Sequence, residues 1–136
     1  MPKIEFPTRI ETKPSHKRYL VKAKEFLLAA QDSYARGSWN AVGLNAVHAA
    51  ISANDAITVY QIGKRCVSEK HSDAVKLLLS AFPNNSEAKN QSNHLTRLIA
   101  KKNIVEYESR LFQQREAVEL LKHSERFVNW AIKNLK

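Results

Sequence analysis

Residues 102–107 read Lys-Asn-Ile-Val-Glu-Tyr and concentrate an ammonium, an amide, a carboxylate and a phenol within two turns of helix. Asn103 and Tyr107 are four residues apart and project from one face. Lys102 and Glu106 share the neighbouring face at the same spacing. Such a set can neutralise a phosphate, hydrogen-bond a base edge and stack on a ring. It equally describes a solvated helix face carrying an ion pair. A second group is Asn45, His48, Ser52 and Asp55, whose steps of three, four and three put them on one helix face. His48 there is a candidate general base or a hydrogen-bonded core residue. Asp55 is the only charged residue of an otherwise apolar helix, so it needs a cation or donors from elsewhere in the chain. Lys102, Arg97 and His71 are the candidates. Third, Arg65 and His71 are separated by five residues and fall in a loop.

Other chemistries find no footing. The five histidines form neither an HxxxH nor an HExxH pair, so no metal site is expected, and no cofactor. The three glycines are isolated, which excludes a glycine-rich phosphate loop, and no Ser or Cys sits in a nucleophile elbow. The one cysteine, Cys66, reads as a plain thiol and rules out an internal disulfide. No signal-peptide run and no stretch of ~20 apolar residues is present, so the expectation is a cytoplasmic protein with no membrane partner. Net charge is +9, and residues 1–24 supply +5 of it, with seven Lys and Arg against two Glu. A basic leading segment suits an anionic partner such as RNA, a nucleotide or an acidic protein, and also serves simple solubility.

The elements that must position these groups are helical. With 136 residues, 43% hydrophobic and only 3 Gly, the chain can bury a core without disulfides. Residues 1–14 hold Pro2, Pro7 and Pro14 and read as an extended basic arm. Residues 15–136 read as one helical-bundle domain. A first helix starts near Ser15, with Leu20, Ala23, Leu27, Ala30 and Tyr34 on its inner face and Gly37 as its stop. The next, 39–61 with Ser38 as its cap, is so apolar and so rich in Ala that it belongs at the centre of the fold. A loop at 66–71 leads to a short helix over 72–82. A turn at 83–86, ending on Ser86 as a cap, leads to a helix over 87–108. The last helix begins near Gln113 and turns inward Ala117, Leu120, Leu121, Phe127 or Val128, Ala131 and Leu135. No segment alternates like a strand. The expected fold is all-α, an antiparallel up-and-down bundle of four long helices plus one short helix.

The run from Trp39 to Ile57, the His71-Ser72-Asp73 start of the short helix, the Lys102-to-Tyr107 motif and the helix from Ala117 to Trp130 together resemble HEPN domains. The likeness spans nearly everything from about residue 16 and looks closest to small, free-standing bacterial members carrying KNxxEY. It implies a helical bundle, often a homodimer. Many HEPN domains are metal-independent RNases of toxin–antitoxin, abortive-infection or CRISPR systems. Dimerisation brings together two motifs, each an Arg and a His with four to six residues between them, around an RNA-binding cleft. In this chain Lys102 occupies the Arg position and Tyr107 the His position, with the Asn kept as Asn103. Lysine neutralises a phosphate as a point charge rather than a bidentate fork. A tyrosine, with an unperturbed pKa of about 10, is a poor general base at neutral pH. The resemblance therefore carries fold and ligand class but not RNase activity, and whether the chain is an enzyme stays open.

Three functions follow as expectations. The first is a HEPN-like protein, non-catalytic or weakly catalytic, that binds RNA or a nucleotide through Lys102, Asn103, Tyr107, Asp55, Arg97 and Lys101. The second is a protein-interaction member of a toxin–antitoxin or defence pair, with an antitoxin-like partner. The third is a metal-independent RNase with a variant site in which His71 and Tyr107 are the catalytic candidates.

Overall fold

The computed structural model describes residues 4–135; residues 1–3 of the expected arm, and Lys136, lie outside the described residues. The elements run in the order β1 (Thr8–Ile10), α1 (His16–Ala35), α2 (Trp39–Ile62), β2 (Lys64–Cys66), α3 (Ser72–Ala81), α4 (Ser86–Ala100), α5 (Lys102–Tyr107) and α6 (Gln114–Lys133). The fold is all-α. Its one sheet among the described residues is a two-stranded antiparallel ladder in which Arg9 lies opposite Arg65.

Helix α2 is central. It packs against each of the other five α-helices. Fourteen of its residues are buried, including the unbroken run 52–59, so no face of that segment meets solvent. Alanines at 46, 49, 50, 53 and 56, all buried, keep α2 thin enough for neighbours on every side. Helix α1 runs antiparallel to it: His16 meets Tyr60, Phe26 meets His48 and Tyr34 meets Trp39 through their rings. Helix α6 runs the same way as α2. The Phe112 N–H donates to Asn40 Oδ1 and, further along both, the Ser124 hydroxyl donates to the Ala46 carbonyl. The inward faces of α4 (Ala88, Leu95, Leu98, Ile99) and α6 are buried as their periodicity requires. Phe127 and Val128 are both enclosed, where one was expected.

Several local expectations need correction. The helix expected over 87–108 is two helices. The Lys101 N–H closes back on the Leu98 carbonyl three residues earlier, which tightens the last turn and ends α4. Helix α5 then starts afresh and turns Val105 toward Gly43. The extended arm does more than trail. Residues 8–10 pair with 64–66, a segment that alternation over three residues is too short to reveal. At the start of α4 the cap is Asn85, whose side chain accepts the Ala88 N–H at 2.9 Å, rather than Ser86. Neither Ser15 nor Ser38 makes a side-chain cap. Gln113 does form a capping box with Glu116, and Arg110 grips that Glu116 with two bonds of 2.9 and 2.8 Å.

Gly43 is where the joint between α5 and α6 meets α2. A Cβ at this position would lie 2.6 Å from the Phe112 ring and 2.9 Å from Val105 Cγ1. Phe112 is 4% exposed and tied through its backbone to Asn40, so it has little room to retreat. Gly43→Ala is expected to lower stability. Overpacking of about 1–3 kcal/mol outweighs the roughly 1 kcal/mol of helix propensity gained. Urea unfolding of the two proteins measures this, and a more stable variant contradicts the contact.

Candidate functional site

The polar stripe of α2 meets two different neighbours. At its upper end Asn45 donates back to the Ala41 carbonyl, and His48 Nε2 lies 3.5 Å from Glu106 of α5. Glu106 also binds Lys102 at 2.8 Å, the pair expected from their spacing. Burial alone would raise the Glu106 carboxyl, but the Lys102 bond and charge, with His48, hold it below the usual carboxylate range. At the lower end Asp55 is 8% exposed. Its cation is Arg65 at 3.6 Å, not Lys102, Arg97 or His71. The ladder explains this choice, because β2 leaves the end of α2 and folds back beside it, carrying Arg65 to Asp55. Glu11, just past β1, stands 4.0 Å from the same guanidinium and accepts a hydrogen bond from the Tyr19 hydroxyl. The guanidinium also lies 5.3 Å from the Tyr19 ring centroid.

Beside Asp55 opens a cavity of about 440 Å³ between α2, the segment after β2, and helices α3, α4 and α5. Asp55, His71, Lys102, Asn103 and Tyr107 all line it. These five candidates, spread between residues 55 and 107, are thus neighbours around one space. Burial gives the cavity a direction. Asn54 and Asp55 are 2% and 8% exposed and form its floor, whereas Tyr107 is 75% exposed at its mouth. Ile51, Ala74, Leu95 and Ile99 supply apolar wall. The two remaining candidates do not line it. Lys101 stands at the break before α5, where its charge acts on Glu116. Arg97 is exposed on α4, and its charge acts on His94 and His123, whose Nδ1 atoms are 2.8 Å apart across α4 and α6. Burial first, then neighbouring cations, hold both of those imidazoles below the usual histidine range.

Asn54, Cys66 and Lys70 also line the cavity and were not among the site residues expected from sequence. Asn54 lies off the three-four stripe that drew attention to Asp55, and only the position of α3 makes it a cavity residue. Burial pushes the Cys66 thiol up, which keeps it protonated and unreactive. Among the described residues no group of three or more His, Cys, Asp or Glu is placed to hold a metal ion, and no helix is long and apolar enough to cross a membrane.

A thin central helix enclosed by the five others, with a cavity beside the joint between α4 and α5, defines a helical-bundle protein of a particular build. The HEPN domain family model matches residues 16–135, and the chain belongs to that family. No curated protein matches it.

The floor of the cavity titrates unusually. Burial pushes the Asp55 carboxyl up to about 7, against the opposing pull of Arg65. In the unfolded chain the same group titrates at about 3.9. Between those values the folded state holds the proton more tightly. Asp55 therefore makes stability fall as pH rises through that window and contributes no slope above it. Asp55→Asn is expected to remove this component. Urea unfolding of both proteins between about pH 4 and about pH 8 reads the difference, and parallel profiles contradict it.

Proposed function

We propose that this HEPN chain binds single-stranded RNA or a nucleotide at the cavity beside α5. The observation that carries the reading is the convergence of Lys102, Asn103, Tyr107, His71 and Asp55 around one space of about 440 Å³. That volume falls within the ~300–1,000 Å³ typical of small-ligand sites. Tyr107 offers an open aromatic face at the mouth, on which a base can stack. Lys102 and Lys70 supply charge for a phosphate, and the net charge of +9 draws an anion toward the surface. Lys102 is shared with Glu106, so its attraction for phosphate is moderated rather than free. Arg97, Lys101 and the basic start of the chain act here as outlying charge.

Because Tyr107 is exposed, its substitution leaves the core untouched and isolates binding. Tyr107→Ala is expected to weaken binding of short single-stranded RNA by about 1–3 kcal/mol, with Tyr107→Phe close to wild type. Lys102→Ala is expected to weaken it further and to make the dependence on salt shallower. Fluorescence anisotropy across a salt series measures both. Unchanged affinity in Tyr107→Ala and Lys102→Ala overturns the assignment.

A second reading is favoured by a different observation. Val21 and Leu28, two turns apart on α1, are 56% and 58% exposed. Exposed apolar side chains flanking Lys24 and Glu25 suit a protein partner, a second copy of this chain above all. Sedimentation of the wild type against Val21→Glu with Leu28→Glu distinguishes it: a dimer that the double variant dissolves supports this face as interface, and an unaffected mass rejects it.

A further inference from the structure

His94 on α4 and His123 on α6 bring their Nδ1 atoms to 2.8 Å, and neither residue lines the cavity. At that distance one Nδ1 donates and the other accepts, so the two rings share one proton. The accepting ring keeps its own proton on Nε2. Among the described residues nothing bonds either Nε2, and neither atom is sealed from solvent. The two helices run antiparallel: Phe82, ahead of α4, meets Trp130, and His94, further along, meets His123. Arg97 and Arg126 each follow their histidine by three residues, so they stand on opposite sides of the pair, about 9 Å apart along the groove. Both are exposed, and among the described residues neither is in an ion pair. The charge of each acts on both rings, and the one carboxylate that acts there is Glu119, on His123. Two arginines minus one glutamate leave +1 around the neutral pair.

We infer that the groove between α4 and α6 is an anion site separate from the cavity, in which Arg97 and Arg126 flank a phosphate group and the His94–His123 pair takes up one proton from solvent to meet it. The proton goes to the free Nε2 of the donating ring. The Nδ1–H···Nδ1 bond survives, and both Nε2 atoms become donors. A second proton would set two N–H groups against each other, so uptake stops at one. Burial first, and then the neighbouring cations, hold both imidazoles below the usual histidine range. The pair is therefore neutral at about pH 7 until an anion offsets the arginines. Two close ring nitrogens are also half of a metal site. Here the flanking guanidiniums repel a cation, and among the described residues no third His, Cys, Asp or Glu joins them. Arginine forks suit a phosphate, whether it is a free phosphate group or part of a strand backbone. None of the four residues lines the cavity, so the site stands or falls apart from the binding reading above.

The test follows the imidazole NMR signals of His94 and His123 in the whole protein. Sulfate stands in for a free phosphate group, because it does not titrate across the histidine range, and oligouridine stands in for a strand. Chloride at equal ionic strength is the control, since screening alone also relieves the arginines. Sulfate or oligouridine is expected to shift both rings and to raise the titration of the pair by about one pH unit beyond chloride. Binding read from the same shifts is expected to be at least about threefold tighter at about pH 5.5 than at about pH 7.5, with uptake of no more than one proton. A response to sulfate identifies a free phosphate group as sufficient. A response confined to oligouridine identifies the strand. Arg97→Gln with Arg126→Gln, at two exposed positions, is expected to remove the excess over chloride. Equal responses to chloride, sulfate and oligouridine in the wild type overturn the site without any variant. A full response that survives in the double variant overturns it too. Neither outcome touches the cavity reading, which Tyr107 and Lys102 test.

Discussion

Eight consecutive residues of α2, 52–59, are shielded from solvent, so each side chain there must fit against some other element. An α-helix enclosed in this way cannot carry large residues all round, and the alanines at 49, 50, 53 and 56 follow from that. The remaining helices take their places around this thin rod. Where a neighbour must come closest, at the joint leading into α6, even a methyl group is too much, and the position is Gly43. Packing of α2 thereby sets where α5 begins and how it is aimed, and α5 in turn forms one wall of the cavity.

Enclosure also decides how polar groups survive on α2. Asp55 is buried with Arg65 at 3.6 Å, and its burial pushes the carboxyl up to about 7 against the pull of that cation. Ser124 settles its hydroxyl on the Ala46 carbonyl of α2, and Asn40 settles its amide on the loop before α6. Each of these bonds joins two elements and fixes register between them. Asn54 is the exception, with one partner where its amide has capacity for more.

Much of this was legible from residue order. The central position of α2 followed from its composition, because a helix apolar on all sides has nowhere else to lie. The 102–106 ion pair and the start of α6 near Gln113 followed from spacing. The partner of Asp55 did not. Arg65 was visible as a residue, but its approach depends on three residues of β1 pairing with three of β2, and so short a ladder carries no periodic signal. The break at Lys101 was hidden for a related reason. No Pro or Gly marks it, and the contact that demands it, Val105 with Gly43, joins segments about sixty residues apart in sequence. Arg97 and Lys101 stand close to Lys102 in sequence, yet neither lines the cavity.

The ladder gives the start of the chain a tertiary role. The family match begins at residue 16, after β1 and Glu11. A fragment cut at that boundary would keep all six α-helices and still lack the strand that covers β2. The backbone of Lys64 to Cys66 would then present a bare sheet edge, open to any extended peptide that offers a strand. That edge carries Arg65, whose guanidinium would lose Glu11 and turn wholly to Asp55. Residues 8–11 thus supply a strand and a counter-charge, and their removal changes the charge balance beneath the cavity.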